Sequence, residues 1–241
     1  MTRPRLGIDT ATDRATVAVG DAGRVWEHAV LEGARRQAGG LLPVVDDVLR
    51  RAGVRIPDLE VLVVGDGPGS FTGLRVGWAL ARGLVHERAL PLYAVPSLMA
   101  HARSAALAAD IGARPVAACF DALRGQVFGA IYRFDGPHVA TLVAPVLLTV
   151  AALTRQTSPA PAVAVGDGAE RYADDIARWT GAAPFRLGHH APPVAWSLIA
   201  LGDHGRPVSD PATAEPVYGR PAEAQAKWEA RHGRPLPHPP R

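Results

Sequence analysis

The stretch that decides the fold is Gly65-Asp66-Gly67-Pro68-Gly69-Ser70-Phe71-Thr72-Gly73-Leu74-Arg75-Val76-Gly77. An apolar run at residues 61–64 precedes it, and apolar residues at helical spacing follow it. This order predicts a buried β-strand, a glycine-rich turn and the start of an α-helix. Glycine lets another backbone come close, and Ser70 is placed to cap the helix with its hydroxyl oxygen.

The turn is a candidate anion site, because free backbone N–H groups and the positive end of a helix dipole would both face a guest there. It is not a Walker A loop, since no Lys-Ser or Lys-Thr follows, and its glycine spacing is not G-x-G-x-x-G. A tight connection that needs glycine for packing explains the turn equally well. The residues expected near an anion or nucleotide, in this turn and in the polar turn after the first strand, are Asp9, Thr10, Gly67, Gly69, Ser70, Thr72 and Arg75. For Asp9 and Thr10, a turn in which the aspartate caps its own backbone is the alternative.

Composition narrows the classes of protein. The chain has 241 residues, of which 48% are apolar and 20% charged, as expected of a globular protein with a large core. Its net charge is +3 and it has no dense block of lysine and arginine, so charge alone does not argue for an RNA-binding groove. The single cysteine, Cys119, lies in an apolar run and is predicted to be a buried core residue. No secretory signal or membrane span is visible, which predicts a cytoplasmic protein.

The order of the predicted elements indicates the fold class. Three strands come first, then a helix, a strand and a helix, and the three-strand opening is repeated at residues 116–121, 126–134 and 138–143. This order is typical of half an actin/hexokinase/Hsp70-type (ASKHA) domain, and the repeat indicates a second, degenerate copy. We therefore predict an α/β fold of two ASKHA lobes: a complete N-terminal lobe at residues 1–110 and a shortened C-terminal lobe at residues 111–220. A proline-rich tail at residues 221–241 is predicted to be disordered.

Two helices of the N-terminal lobe are predicted at residues 41–52 and 71–87. The second is apolar on two sides, since Val76, Leu80 and Leu84 lie off its main apolar stripe. A helix with two apolar sides needs a second partner besides its own sheet. That partner is either another subunit or a neighbouring helix of the same chain.

The wording of the glycine-rich stretch, G-x-G-P-G-S-F-T-G-L-R-x-G, resembles the signature of the TsaB (YeaZ) family of bacterial tRNA-modification proteins. The first strand and turn at residues 6–12, the Leu41-Leu42-Pro43 segment, residues 121–127 and the closing residues 215–220 also resemble that family. The resemblance is strong over residues 5–130 and thinner afterwards.

The resemblance implies a role in making N6-threonylcarbamoyladenosine (t6A) beside the anticodon of tRNAs that read A-starting codons. The implied role is a non-catalytic scaffold that forms a heterodimer with the transferase TsaD and activates it. The resemblance also implies that the ATPase TsaE joins this complex and that the chain reaches tRNA through the complex. A homodimer of the isolated chain, formed by the helices at residues 41–52 and 71–87, is compatible with this role. The residues predicted to face the partner are Leu41, Leu42, Val45, Val48, Leu74, Trp78, Ala81 and Val85.

The same resemblance implies no required cofactor, with at most weak ATP or ADP binding. No metal site is predicted, because the nine histidines are scattered and the histidine pair that TsaD uses to bind a metal has no equivalent. Gln37-Ala38 stands where TsaB relatives often carry His-Ser, which removes an ionisable group. Two other classes stay open: a stand-alone ASKHA phosphotransferase that uses Asp9, Thr10 and the glycine turn, and, less favoured without the histidine pair, a metallo-glycopeptidase.

Overall fold

The computed structural model describes residues 3–86, 90–220 and 231–233. In these ranges the strands form two sheets. The first sheet contains β1 (Arg5–Asp9), β2 (Arg14–Gly20), β3 (Val25–Glu32), β4 (Val61–Gly65) and β5 (Leu92–Val95). The second contains β6 (Val116–Asp121), β7 (Val127–Asp135), β8 (His138–Leu148) and β9 (Val163–Val165). A last short strand, β10 (Arg206–Pro207), returns to the first sheet beside β5.

Both sheets are built on one plan, which confirms the predicted α/β fold of two ASKHA-type lobes. Each begins with three antiparallel strands and continues with a strand that pairs parallel to the first of them. The strand orders are β10-β5-β4-β1-β2-β3 and β8-β7-β6-β9. The second lobe is the shorter copy, as predicted.

The helices cover the sheets in three layers. They are α1 (Ala34–Ala52), α2 (Phe71–His86), α3 (Ser97–Ala108), α4 (Val150–Leu153), α5 (Asp167–Arg171), α6 (Ala173–Thr180) and α7 (Val194–Ala200), with 3₁₀ turns at Ile56–Asp58 and Gly202–His204. Helices α1 and α2 pack on one face of the first sheet. Helices α3 and α7 pack on each other between the two sheets, and α4 to α6 cover the outer face of the second sheet.

Cys119 lies in the core under α4 to α6 and is fully buried, as predicted. Burial is the main cause that raises the pKa of its thiol to about 12, and the nearby Asp167 charge adds to the shift.

Helix α1 differs from the prediction. It begins at Ala34 rather than Leu41, so Pro43 lies in its interior and not in its first turn. Proline removes one backbone N–H donor and normally breaks a helix. The helix continues here because Leu41, Val45 and Val48, on both sides of the proline, are buried against the sheet. Tertiary packing outweighs the local cost.

The division into lobes also differs at one place. Residues 111–220 were predicted to form the second lobe, but α7 packs against β1, β2 and β4, and β10 pairs with β5, all in the first sheet. A Cβ on Gly7 of β1 would lie 2.1 Å from the carbonyl oxygen of Ala195, so α7 lies directly on the first sheet. Of the predicted tail at 221–241, only residues 231–233 are among those described, so the prediction of disorder lies outside the described residues.

Candidate functional site

The glycine-rich turn joins β4 to α2 as predicted. The hydroxyl oxygen of Ser70 accepts a hydrogen bond from the backbone N–H of Gly73 at 3.2 Å, so Ser70 caps α2. The backbone N–H of Ser70 is used as well: it donates to the carbonyl oxygen of Ala11 at 2.7 Å. One of the donors expected to face an anion is therefore bonded to the turn after β1.

The glycines of this turn are explained by close packing. A Cβ on Gly69 would lie 2.2 Å from the carbonyl oxygen of Ala11, and one on Gly67 would lie 2.4 Å from that of Val217. Gly67 also has φ +91°, which glycine adopts without strain. The packing explanation that the sequence left open thus accounts for both glycines.

Asp9 and Thr10 have no accessible surface with which to bind a ligand. Their exposed fractions are 0% and 1%. The Asp9 carboxylate accepts hydrogen bonds from the Ser97 hydroxyl at 2.6 Å and from the backbone N–H of Ala11 at 3.2 Å. The prediction that these two residues lie beside an anion is corrected in favour of the alternative, a turn capped by its own aspartate. Gly69, Ser70, Thr72 and Arg75 are the predicted residues that keep accessible surface.

An ion pair between a buried aspartate and a partly exposed arginine holds the turn from the other side, and the sequence did not predict it. Asp66 is 6% exposed, and both of its carboxylate oxygens accept from Nη2 of Arg206, at 3.1 and 3.2 Å. The guanidinium of Arg206 lies 5.8 Å from the ring centre of Trp78, on α2. Burial raises the pKa of Asp66, and the charge of Arg206 opposes that shift. No local signal connects two residues so far apart in the chain.

Replacing Arg206 by methionine is expected to lower the free energy of unfolding at pH 7 by about 2 kcal/mol, because a buried carboxylate loses its partner. Methionine keeps an unbranched apolar stem but removes the guanidinium group. The folded-state pKa of Asp66 is raised above its pKa in the unfolded chain. The contribution of this carboxyl group to the free energy of unfolding is therefore fully present below the unfolded-state pKa and is lost as pH rises through the folded-state pKa. The deficit of the variant should therefore shrink between pH 7 and pH 4 in urea unfolding. Arg50→Met, at an exposed ion pair, is the control and should behave as wild type.

A cavity of about 560 Å³ lies between the two lobes. The first lobe contributes Ser70 and Phe71, the second contributes Asp121, Phe128 and Asp167, and the closing segment contributes Tyr218 and Arg220. That segment crosses from lobe to lobe: Tyr218 stacks on Phe71 with ring centres 4.6 Å apart, and Arg220 donates to the carbonyl oxygen of Ala122. A Cβ on Gly219 would lie 2.7 Å from both Pro68 and Phe128, so the segment fits tightly between the lobes.

Comparison with known proteins places the chain in a family. The family described as "TsaD: tRNA N6-adenosine threonylcarbamoyltransferase" has a sequence model that matches residues 32–178. An uncharacterized protein of Mycobacterium tuberculosis H37Rv is 36% identical over 183 residues, covering 72% of this chain and 78% of that protein. The solved structure of YeaZ from Pseudomonas aeruginosa covers 90% of this chain and 99% of its own, with 26% identity and a TM-score of 0.70. The tRNA threonylcarbamoyladenosine biosynthesis protein TsaB of Escherichia coli K12 is 40% identical over 130 residues. The chain belongs to the family of that sequence model, and TsaB (YeaZ) proteins are among its relatives.

These matches confirm the resemblance to TsaB (YeaZ) proteins seen in the sequence. The alignment with the E. coli TsaB covers 54% of this chain and 55% of that protein. For the TsaB of Haemophilus influenzae the match is 35% identical over 103 residues and covers 42% of each chain. The chain therefore spans about half the length, or less, of these curated TsaB relatives.

The prediction of which residues face the partner protein TsaD needs a correction. Seven of the eight are at most 2% exposed: Leu41, Val45, Val48, Leu74, Trp78, Ala81 and Val85. Leu74 packs in the core between the two sheets, and the other six pack between the helices and the first sheet. A side chain without accessible surface cannot contact a second protein. Of the eight, Leu42 alone is exposed, at 57%. The partner residues were taken from the core stripe of the two helices, although the second apolar side of the second helix had also been recognised.

The outward side of α1 and α2 carries a different set of residues. Ala79 and Gly83 are exposed, and Val76, Leu80 and Leu84 are half-buried. Together with Leu42 they form what we call the α1–α2 surface, which is small and apolar with no charged member. The second apolar side of α2 therefore packs partly against the core between α1, α2 and the first sheet, and the rest of it is left at the surface.

The described residues contain neither a cluster of three or more metal-ligating side chains nor a helix long and apolar enough to cross a membrane.

Proposed function

We propose that this chain is a non-catalytic subunit required for t6A formation in tRNA, acting by binding and activating TsaD. The names of its TsaB relatives support a role in t6A biosynthesis. The observation that supports a non-catalytic role is the direct contact between the glycine-rich turn and the turn after β1. Ser70 N–H donates to Ala11 C=O, and Gly69 packs on that same carbonyl group.

This contact argues against the alternative, an ATP-dependent phosphotransferase. A phosphate between the two turns would need their backbone N–H groups and a metal ion held by the Asp9 carboxylate. The N–H of Ser70 is already bonded, and Asp9 is fully buried and holds Ser97 and Ala11. Nucleotide binding at this place would require the turns to separate, so we expect ATP or ADP to bind weakly.

The α1–α2 surface is our candidate for the contact with TsaD. Its central residues are small or aliphatic, and Ala79 and Gly83 would let a second helix approach closely. An uncharged surface of this kind is suited to a partner with a similar apolar face. Two copies of this chain could also meet there through a two-fold axis, which makes a homodimer the competing assembly when TsaD is absent. TsaE and tRNA would join through the complex.

The test is the t6A content of bulk tRNA, measured by mass spectrometry in cells depleted of this chain. We expect depletion to remove the nucleoside and wild-type chain to restore it. A variant carrying Leu42→Asp and Ala79→Glu should fail to restore it and should bind TsaD at least about tenfold more weakly, because two charges would be desolvated at the interface.

The matched control for that variant is Leu107→Asp on α3, which is 48% exposed and lies away from the α1–α2 surface. It should restore t6A like wild type. Unchanged t6A after depletion would refute the proposed function, and equal rescue by both variants would refute the surface. Rapid ATP turnover by the purified chain would favour the phosphotransferase instead.

A further inference from the structure

The mouth of the interlobe cavity brings aromatic rings and arginines together. Phe71 is 39% exposed, although it is the first residue of a helix that otherwise buries its large rings. It stacks on Tyr218, and the guanidinium of Arg75 lies 5.5 Å from its ring centre. On the opposite lobe, Arg220 lies 6.0 Å from the ring centre of Phe128. Both arginines are exposed.

The loop between β6 and β7 forms the facing rim and is held in a strained conformation. Leu123 and Arg124 have φ of +61° and +53°, a region that side-chain-bearing residues rarely adopt. Arg220 fixes this loop through the carbonyl oxygen of Ala122. Leu123 is 50% exposed, lines the cavity and is followed by the exposed Arg124. Backbone strain of this kind persists only where the surroundings enforce it.

The interior of the cavity differs in charge from its rim. Its second-lobe wall carries the carboxylates of Asp121 and Asp167. Arg171 pairs with Asp121, whereas one oxygen of Asp167 accepts from two backbone N–H groups, of Asp121 and Gly168. The other Asp167 oxygen has no hydrogen bond from a described residue. Such a wall disfavours phosphate and favours a group that donates N–H bonds.

A planar ring with an exocyclic amine fits this arrangement. The cavity of about 560 Å³ lies within the usual range of ligand pockets, and its aromatic walls would contact both faces or edges of such a ring. The rim arginines would meet negative charge outside the cavity, not within it. A base inside and phosphates outside is the arrangement by which proteins read single-stranded RNA loops.

We propose that the cavity mouth formed by Phe71 and Tyr218, with the buried Phe128 in the wall behind it, binds an unpaired amino-bearing nucleobase of a single-stranded RNA loop. The inference rests on the proposed function for the identity of the RNA, a tRNA anticodon loop. It adds a direct RNA contact to a subunit otherwise assigned to protein contacts. The stacking surface, and not net charge, supplies the recognition.

The experiment measures fluorescence anisotropy of a labelled hairpin RNA with a seven-nucleotide loop, titrated with the purified full-length chain. A loop containing adenosines should bind about tenfold or more tightly than a uridine-only loop or a blunt duplex. Phe71→Ala and Tyr218→Ala should each weaken the adenosine loop about tenfold. Arg75→Gln should lower the slope of log affinity against log salt by about one.

Leu142→Ala is the matched control, since Leu142 is also 39% exposed but lies on β8, away from the cavity. It should bind as wild type, with circular dichroism reporting the fold of each variant. Equal affinity for loop and duplex, or equal behaviour of Phe71→Ala and Leu142→Ala, would overturn the inference. So would saturable binding of free adenosine by a chain that ignores the hairpin, which would make the cavity a nucleoside site. If t6A depends on the chain in cells but no loop binds, the proposed function stands and this inference falls alone.

Discussion

Gly69→Ala is expected to lower the free energy of unfolding by about 3 kcal/mol. The new methyl group would lie 2.2 Å from the carbonyl oxygen of Ala11, and the obstacle is backbone, which cannot rotate away. Relief requires the two turns to separate, at a cost of about 1–3 kcal/mol for overpacking and about 1 kcal/mol for the lost Ser70–Ala11 hydrogen bond. Urea unfolding of the purified protein measures the loss.

Gly83→Ala is the control for that substitution. Gly83 lies within α2, and a Cβ there would meet nothing within 4 Å. Alanine in an exposed helical position is favoured over glycine by about 1 kcal/mol, so this variant should be more stable than wild type. If the two alanine variants unfolded at the same urea concentration, the close contact between the turns would be wrong. Our reason for excluding phosphotransfer would fail with it.

Trp78→Ala is expected to be the most destabilising single change in α2, by about 4 kcal/mol. Trp78 is 1% exposed, and its indole N–H donates to the carbonyl oxygen of Gly65 at 3.1 Å. Arg82 and Arg206 both lie against its ring. Removing a buried tryptophan leaves a large cavity and typically costs about 3–5 kcal/mol.

The control for Trp78 is Leu42→Ala, which removes a side chain that is 57% exposed and should change stability by less than about 0.5 kcal/mol. The comparison of these two variants also decides which substitutions can be used to test the proposed contact with TsaD. A charge placed at Trp78 or Leu74 would abolish complex formation by unfolding the chain, and the loss would say nothing about an interface. A stable Trp78→Ala protein would return Trp78 to the list of surface candidates.

The parts of the molecule that local sequence determines were predicted well. The apolar run before Gly65, the glycines and Ser70 specify a strand, a turn and a capped helix within a few residues, and the structure has all three. The repeated order of strands was also enough to predict two lobes. The aspartate-capped turn at Asp9 was one of two stated alternatives, because a polar residue after a strand is compatible with ligand binding and with self-capping.

The parts that depend on distant residues could not be predicted. Asp66 and Arg206, Phe71 and Tyr218, and Ala122 and Arg220 meet only because the closing segment returns to the first lobe. Helical periodicity failed in a different way at the proposed partner surface. It finds the most apolar stripe of a helix, and in a helix that covers a sheet this stripe is the core. A binding surface between folded proteins is less apolar and gives a weaker pattern.

The return of the closing segment also sets the order in which the molecule can be completed during synthesis. The first sheet begins with β1 at Arg5, yet its edge strand β10 and the carbonyl group that packs on Gly67 come from residues 206–217. The second sheet, from β6 to β9, is contained within residues 116–165. A ribosome therefore delivers every strand of the second lobe before it delivers the last strand of the first. The lobe that is begun first is finished last.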